Sequence, residues 1–222
     1  MEKLLEIRQK FAGTKQIAEE IFLTLDYAIA NGILKPGDRL HEENLAKLFD
    51  VSRTPLREAI KRLEFEGYVT HDLKYGFRVT VLSPYECVEL IQAIEFFRQM
   101  ATRIAAESIT KPYLLRLEEN LNAMSKLPFD AVDKRLTLNE EFHSIIVESI
   151  GNSVLNDSYN ALIKKYWLVY RSKIHKMTYT SESQKEHFKI FEALSAHNPE
   201  EAWKAQVIHS GRSSLRIKEV LS

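Results

Sequence analysis

The sequence is poor in residues that interrupt regular structure, with seven glycines and six prolines in 222 residues. So few turn-forming residues over this length favour a mainly helical chain with short connections. The single cysteine, Cys87, excludes an intramolecular disulfide and a cysteine-rich zinc site. No apolar run approaches the roughly 18 residues of a membrane span, so no membrane partner is expected.

The charges of the chain balance, with 31 basic and 31 acidic side chains. A chain without net charge has no global attraction for nucleic acid, so such a partner must be met by a local patch. The first ten residues alternate charge with leucine and lack the apolar centre of a signal peptide. These features predict a cytoplasmic protein.

Residues 1–82 combine short helical patterns with a hairpin pattern. The order is helix, helix, tight turn at Asp50-Val51, helix, and then two β-prone runs joined by a turn. This order is typical of a winged helix-turn-helix domain. The predicted helices are 17–31, 42–49 and 53–66, and the predicted strands are 68–71 and 77–81.

Residues 83–222 are helical throughout, with proline, glycine or asparagine at the breaks. Six helices with short connections predict an all-α antiparallel bundle, a fold whose core commonly holds ligands or metals. The fold class is therefore mainly α, in two domains that meet between residues 82 and 83. The six predicted helices are 84–107, 111–126, 130–150, 153–176, 181–196 and 199–221.

Basic residues occupy the start of the third predicted helix and the tip of the hairpin. Arg53, Thr54 and Arg57 lie opposite the apolar stripe of their helix, and the N-terminal end of this helix enters the major groove in helix-turn-helix proteins. An arginine there binds guanine through two hydrogen bonds. Lys74 and Gly76 mark the hairpin tip, which predicts a contact with a phosphate or the minor groove. The alternative is a solvated, charged helix face.

Histidines at three places in the bundle form a possible metal site. Asn139 and His143 are four residues apart on one helix, so their side chains point in the same direction. His187 and His209 lie on the last two helices, and three imidazoles with one side-chain oxygen suit a divalent ion. Buried or surface histidines without a metal are the alternative, and spacing alone leaves the choice open.

The run 40–69, and above all its segment Ser52–Ala59 (SRTPLREA), resembles the DNA-binding motif of GntR-type bacterial transcription regulators. The second domain resembles the effector domain of the FadR subgroup in its shorter, six-helix form. The resemblance implies that Arg53, Thr54, Arg57 and Gly76 contact operator DNA. Asp50 replaces the glycine usual at the turn, a change that Asp tolerates because it adopts left-handed backbone geometry.

The resemblance also implies a metal site and an effector pocket. Its metal is held by an aspartate four residues before a histidine and by two later histidines, which correspond here to Asn139, His143, His187 and His209. Because asparagine brings no negative charge, nickel or zinc is favoured over manganese. The metal is then structural or anchors an effector carboxylate, and the expected effector is a small organic acid.

Arg98, Arg171 and Tyr166 are the predicted effector-binding residues. The family's usual arginine falls near Ile94, so Arg98 takes over as carboxylate anchor or the anchor is missing. Surface ion pairing is the alternative for the arginines, and packing in the core or in a dimer is the alternative for the tyrosine.

The predicted function is a homodimeric, ligand-responsive transcription regulator, a repressor, that binds a palindromic operator in double-stranded DNA. A metal-dependent hydrolase with Glu140 or Glu141 as base is one alternative, although it leaves the first domain unexplained. An architectural DNA-binding protein whose bundle only dimerises is another, and it predicts neither metal binding nor a ligand response.

Overall fold

A computed structural model describes residues 2–13, 16–169 and 181–221 of the chain. These residues form ten helices and three short strands, which confirms the mainly helical fold with a small antiparallel strand wing. The helices are α1 Glu2–Phe11, α2 Ile17–Ala30, α3 Glu42–Phe49, α4 Arg53–Phe65, α5 Pro84–Ser108, α6 Lys111–Lys126, α7 Val132–Ser149, α8 Ser153–Val169, α9 Ser181–Ser195 and α10 Pro199–Leu221. The strands are β1 Arg39–Leu40, β2 Val69–Asp72 and β3 Gly76–Val79.

The chain divides into two compact units. The first consists of the residues up to Ser83 together with the end of α8 from Trp167, and the second contains the rest of the chain from Pro84 onward. Leu168 of α8 accordingly belongs to the buried core of the first unit.

The core of the first unit lies between α2 and α4. Ile21 and Leu25 on α2, and Leu56, Ile60 and Leu63 on α4, are fully buried at helical spacing. The helix α1 packs against α2 and was not predicted, although its apolar residues also follow helical spacing. The two buried stripes fix which face of α4 is left for solvent.

The turn between α3 and α4 directs the exposed end of α4. Asp50 ends α3 with a left-handed backbone (φ 50°), and its N–H donates to carbonyl groups of α3. Ser52 follows in an extended conformation as the N-cap residue of α4. Aspartate therefore serves at the position where the resembling family has glycine.

The wing is a three-stranded antiparallel sheet in the order β1-β3-β2. Val69 pairs with Val79 and Asp72 with Gly76, while the two-residue strand β1 was not predicted. At the tip, the Asp72 carboxylate accepts hydrogen bonds from the backbone N–H groups of Lys74 and Tyr75, which lowers the pKa of Asp72. Gly76 has a φ of +73°, a conformation that suits glycine.

In the part of the chain that the structure describes, the second unit contains α5 to α10, apart from the end of α8, and this is as many helices as predicted. The helix α7 begins at Val132, two residues later than expected, and the predicted segment 153–176 extends beyond the described part of α8. None of the described helices has both the length and the apolarity to cross a membrane. One buried apolar cluster of this unit includes Leu117, Leu121, Phe142, Ile190 and Leu194.

Candidate functional site

The N-terminal half of α4 exposes the three residues predicted to read DNA. The Arg53 guanidinium donates to the Glu43 carboxylate at 2.7 Å, and the Nε of Arg57 donates to Glu42 at 2.9 Å. Thr54 is exposed beside them. Exposed ion pairs of this kind contribute little to stability, so the arginines can exchange these partners for a nucleic acid.

The wing adds a second group of cations around Tyr75. The guanidinium carbons of Arg39 and Arg78 each lie 5.3 Å from the centre of the Tyr75 ring, and the Lys74 Nζ lies 5.4 Å from it. Arg39 and Arg78 were missed. Arg78 alternates with the buried residues Phe77 and Val79 in a predicted strand, and this alternation was a signal that it faces outward.

The three predicted histidines converge in the interior of the second unit. His143 on α7, His187 on α9 and His209 on α10 are all buried. One possible ligand atom of each lies within 4.8 Å of those of the other two. Ring nitrogens gathered this closely can serve as ligands to one divalent ion.

The surroundings of His143 show whether the residues of the cluster suit a metal. Neither ring nitrogen has a hydrogen-bond partner among the described residues, although the side chain is 1% exposed. Burial, with the Arg98 charge as the next cause, holds the pKa of His143 well below its usual value, so the imidazole is neutral. A buried polar group without a partner costs about 1–3 kcal/mol, and a metal would satisfy a neutral imidazole. The residues present therefore fit a metal ion.

Glu186 orients His209 within the cluster. Its Oε2 lies 3.0 Å from the Nδ1 of His209, a contact that favours a proton on Nδ1 and leaves Nε2 as the ligand atom. Burial alone would raise the pKa of Glu186, but the hydrogen bonds from His209 and Arg212 lower it. Metal-binding histidines usually have such a carboxylate on the second nitrogen. Glu186 was missed, although it directly precedes His187.

Asn139 is buried one turn before His143 on α7. Its amide nitrogen donates to Glu140 at 2.9 Å, and only its carbonyl oxygen is suited to bind a metal. Among the described histidine, cysteine, aspartate and glutamate residues, no carboxylate joins the histidine group. Three imidazole nitrogens form a donor set that suits zinc or nickel better than manganese.

Arg98 lies buried close to His143, and each of its three guanidinium nitrogens has an acceptor. Its Nε donates to the Tyr159 hydroxyl at 2.9 Å, one terminal nitrogen lies 3.4 Å from Glu95, and the other donates to Glu140. Burial opposes the positive charge, but Glu140, Tyr159 and Glu95 together raise the pKa of Arg98 well above its usual value. Ser210 donates a further hydrogen bond to Glu95.

The other predicted effector residues have different outcomes. Tyr166 is buried seven residues after Tyr159, so the two tyrosines share a face of α8. Arg171 lies outside the described residues. Glu95 and Tyr159 were missed. For Glu95 a sequence signal was available, because Glu95 and Arg98 place charged side chains within the apolar stripe of α5.

Family models match both units of the chain. Residues 17–79 match the bacterial regulatory proteins of the gntR family. Residues 89–210, more than half of the chain, match the FCD domain. The chain is a GntR-family regulator with an FCD domain.

Curated relatives of this GntR regulator are named as transcription regulators. An uncharacterized HTH-type regulator, YdhC of Bacillus subtilis, is 29% identical over 91% of either chain. The Nta operon transcriptional regulator of Aminobacter aminovorans is 27% identical, and the match covers 84% of this chain and 88% of that one. The family and these names identify a ligand-responsive DNA-binding regulator and not an enzyme, which removes the hydrolase alternative.

Solved structures share the fold of this regulator. McbR/YncC of E. coli superposes with a TM-score of 0.75 at 20% identity, over 93% of this chain and 99% of that one. A GntR regulator of Rhodococcus sp. RHA1 has a TM-score of 0.73 at 21% identity, over 91% of this chain and 98% of its own. At these identities the likeness shows the fold.

Proposed function

We propose that this GntR-family regulator is a cytoplasmic, homodimeric repressor whose binding to a palindromic operator depends on a metal-containing ligand pocket in its six-helix FCD domain. The convergence of three buried histidines from three helices is the observation that carries this proposal. An architectural DNA-binding protein would have no need of such a cluster.

The operator contacts follow from exposure and charge in the first unit. Arg53, Thr54 and Arg57 read base edges from the N-terminal half of α4, since none of them is buried. Lys74 and Gly76 bring the wing to the DNA backbone. Gly76 has no side chain that could hinder a close approach. The space beside it is also open, since a Cβ atom placed there would have no neighbour within 4 Å.

The homodimer would use an apolar row on α5. Phe96, Met100 and Ile104 are exposed at intervals of four residues, and Phe96 is 69% exposed. A second copy of the chain would cover this row and place two recognition helices on successive half-sites. We expect Phe96→Glu to convert the dimer to a monomer in analytical ultracentrifugation and to weaken operator binding. An unchanged sedimentation coefficient would place the dimer interface elsewhere.

The metal pocket combines the buried residues of α7, α9 and α10. His143, His187 and His209, with the Asn139 carbonyl oxygen, would hold zinc or nickel, and Glu186 would keep the Nε2 of His209 available. When bound, the ion would supply positive charge and open coordination positions for a ligand. Tyr166 and Arg98 would line the same pocket, together with Arg171 from outside the described residues.

Metal content tests this proposal directly. We expect about one equivalent of zinc or nickel per chain by elemental analysis after dialysis, and almost none in His143→Ala. His41→Ala is the matched control, because His41 is exposed at the start of α3 and should leave the metal content unchanged. Wild-type protein that binds no divalent ion would favour the architectural alternative.

A selection from a randomised duplex library tests the DNA contacts and identifies the operator in the same experiment. The full-length protein should enrich a two-fold symmetric sequence, and its affinity should change when the metal is removed with a chelator. Enrichment of an asymmetric sequence, or affinity that is indifferent to metal, would overturn the corresponding part of the proposal.

A further inference from the structure

The helix α1 lies outside the residues that match the gntR family model, which begin at residue 17. It is nevertheless part of the core of the first unit, because Leu4 and Ile7 are only 3% and 4% exposed. Farther along this helix, Phe11 contacts Tyr27 of α2 edge to face, with ring centres 6.2 Å apart. The helix α1 is therefore fixed to the DNA-binding unit, and its polar side chains have defined positions.

One side chain of α1 reaches the end of α3. The Arg8 guanidinium donates a hydrogen bond to the carbonyl oxygen of Phe49, the last residue of α3. The guanidinium carbon also lies 5.5 Å from the centre of the Phe49 ring, so Arg8 contacts both the backbone and the side chain of one residue. Because Phe49 is 1% exposed, its ring cannot move away from Arg8 without opening the core.

The Phe49 carbonyl needs such a donor because α3 ends there. The last four carbonyl groups of a helix have no partner within the helix. The backbone N–H groups of the next two residues donate to the carbonyls of Ala46 and Lys47, whereas the Phe49 carbonyl accepts from Arg8. The positive charge of Arg8 is also favourable at the C-terminal end of a helix, where the helix dipole is negative.

This contact stands directly before the turn that directs α4. Only three residues separate Phe49 from Arg53, and the first of them, Asp50, has a left-handed backbone. Buried apolar residues hold α4 from Leu56 onward, but the DNA-facing residues at its start are exposed. The direction of this exposed end therefore depends on how firmly the end of α3 is held.

We propose that α1 is a brace of the helix-turn-helix, in which Arg8 is a positioning residue that sets the direction of α4 by holding the Phe49 carbonyl. Arg8 then controls how well Arg53 and Arg57 distinguish the operator from other sequences, without contacting a base itself. Hydrogen bonds to base edges depend on direction, whereas attraction to phosphates depends mainly on charge. This inference rests on the operator contacts proposed above.

Fluorescence anisotropy with the selected operator and a mismatched duplex tests the brace in the full-length protein. Arg8→Met removes the donor and should lower the ratio of the two affinities about five- to tenfold, the equivalent of one base contact. Arg8→Lys retains a cation and a donor, and it should keep this ratio within about twofold of wild type. The matched control is Lys10→Met, which removes the same charge from the same helix, since the Lys10 Nζ lies over the Tyr27 ring, 5.0 Å from its centre.

The salt dependence of binding separates a brace from a direct DNA contact. Loss of a phosphate contact would weaken binding to both duplexes alike and reduce the slope of log affinity against log salt by about one. Loss of a brace leaves this slope unchanged. Equal weakening on both duplexes would overturn the proposal, and so would an equal loss of discrimination in Lys10→Met. A folded Arg8→Met variant that keeps full discrimination would overturn it as well.

Amide hydrogen exchange measures the brace without DNA. The N–H groups of Asp50 and Val51 donate to carbonyls of α3, so their exchange should be at least about fivefold faster in Arg8→Met and unchanged in Lys10→Met. Unchanged exchange in Arg8→Met would show that Arg8 does not hold the turn. If the wild type selects no operator, the proposed function fails, while hydrogen exchange still decides whether Arg8 braces the turn.

A second variant protects the test against misfolding. If circular dichroism shows that Arg8→Met does not fold, Arg8→Ala takes its place, because alanine favours a helix and also lacks the donor. Both measurements are made well below the unfolding temperature. A mere loss of stability would then leave the ratio of the two affinities unchanged, since every folded molecule would still distinguish the duplexes equally well.

Discussion

Arginine–glutamate pairs occur in both units of this regulator, with opposite exposure. The side chains of Arg53 and Glu43 are 71% and 66% exposed, whereas those of Arg98 and Glu140 are 7% and 6% exposed. An exposed pair is screened by water and exchanges partners at little cost, but a buried pair persists because either charge alone would be stranded. The same two residue types thus form an exchangeable pair at the surface of the first unit and a persistent pair in the interior of the second.

The largest effect is expected where a buried pair is broken. Arg98→Ala leaves Glu95 and Glu140 buried without a cation, so the free energy of unfolding of the second unit should fall by about 3–5 kcal/mol. Denaturant titration measures this loss. Arg116→Ala removes an exposed pair with Glu148 in the same unit and should cost about 0–1 kcal/mol. Equal losses for the two variants would erase the contrast between buried and exposed pairs.

Metal addition should stabilise only the second unit. At a zinc concentration 100 times its dissociation constant, the free energy of unfolding of this unit should rise by about 2.7 kcal/mol. The first unit contains none of the three histidines, and its unfolding transition should stay in place. Calorimetry with and without a chelator measures both transitions. If zinc raised the unfolding temperature of the first unit alone, the assignment of the metal site to the second unit would be wrong.

The recognition arginines should matter for DNA and not for stability. Arg53→Ala and Arg57→Ala should each cost about 1–3 kcal/mol of discrimination between the selected operator and a mismatched duplex. Their unfolding free energies should change by no more than about 0.5 kcal/mol. Fluorescence anisotropy provides the measurement, and Arg103→Ala, an exposed arginine of α5, is the control. Full discrimination by either variant would show that its arginine does not read bases.

The smallest effect concerns the glutamates beside these arginines. Glu43→Gln removes a negative charge from the DNA-facing surface while leaving Arg53 in place, so affinity for a random duplex should rise by about two- to fivefold at low salt. The increase should fade as salt is raised. Glu200→Gln breaks a comparable exposed pair with Arg103 in the second unit and serves as control. Reduced affinity in Glu43→Gln would mean that Glu43 holds Arg53 in its binding geometry.

Local patterns were enough to predict most of the DNA-binding unit. The apolar stripe of α4 determined which side of the helix Arg53 and Arg57 occupy, and the turn at Asp50 marked where that helix begins. The strand β1 was not predicted because a segment of two residues is too short to show an alternation of apolar and polar residues, and Arg39 was missed for the same reason. Arg78 was missed although it alternates with the apolar residues Phe77 and Val79 in a strand that the sequence did predict.

The pocket could be predicted only in part. The four-residue spacing of Asn139 and His143 predicted that they share a face of one helix. The family resemblance predicted that His187 and His209 complete a metal site with them. Two partners of Arg98 were not predicted because Glu140 and Tyr159 lie on other helices, 42 and 61 residues away along the chain. Glu95 lies on the same helix as Arg98 and was missed although the contact is local.

By itself the sequence determined the helices, the wing and the residues that one helix presents on one side, since these depend on spacing along the backbone. Tertiary structure alone decided that the three imidazoles share one interior position and that Arg98 is already neutralised. Those properties depend on which side chains from distant helices meet away from water, where an unpaired charge is costly and a paired one is retained.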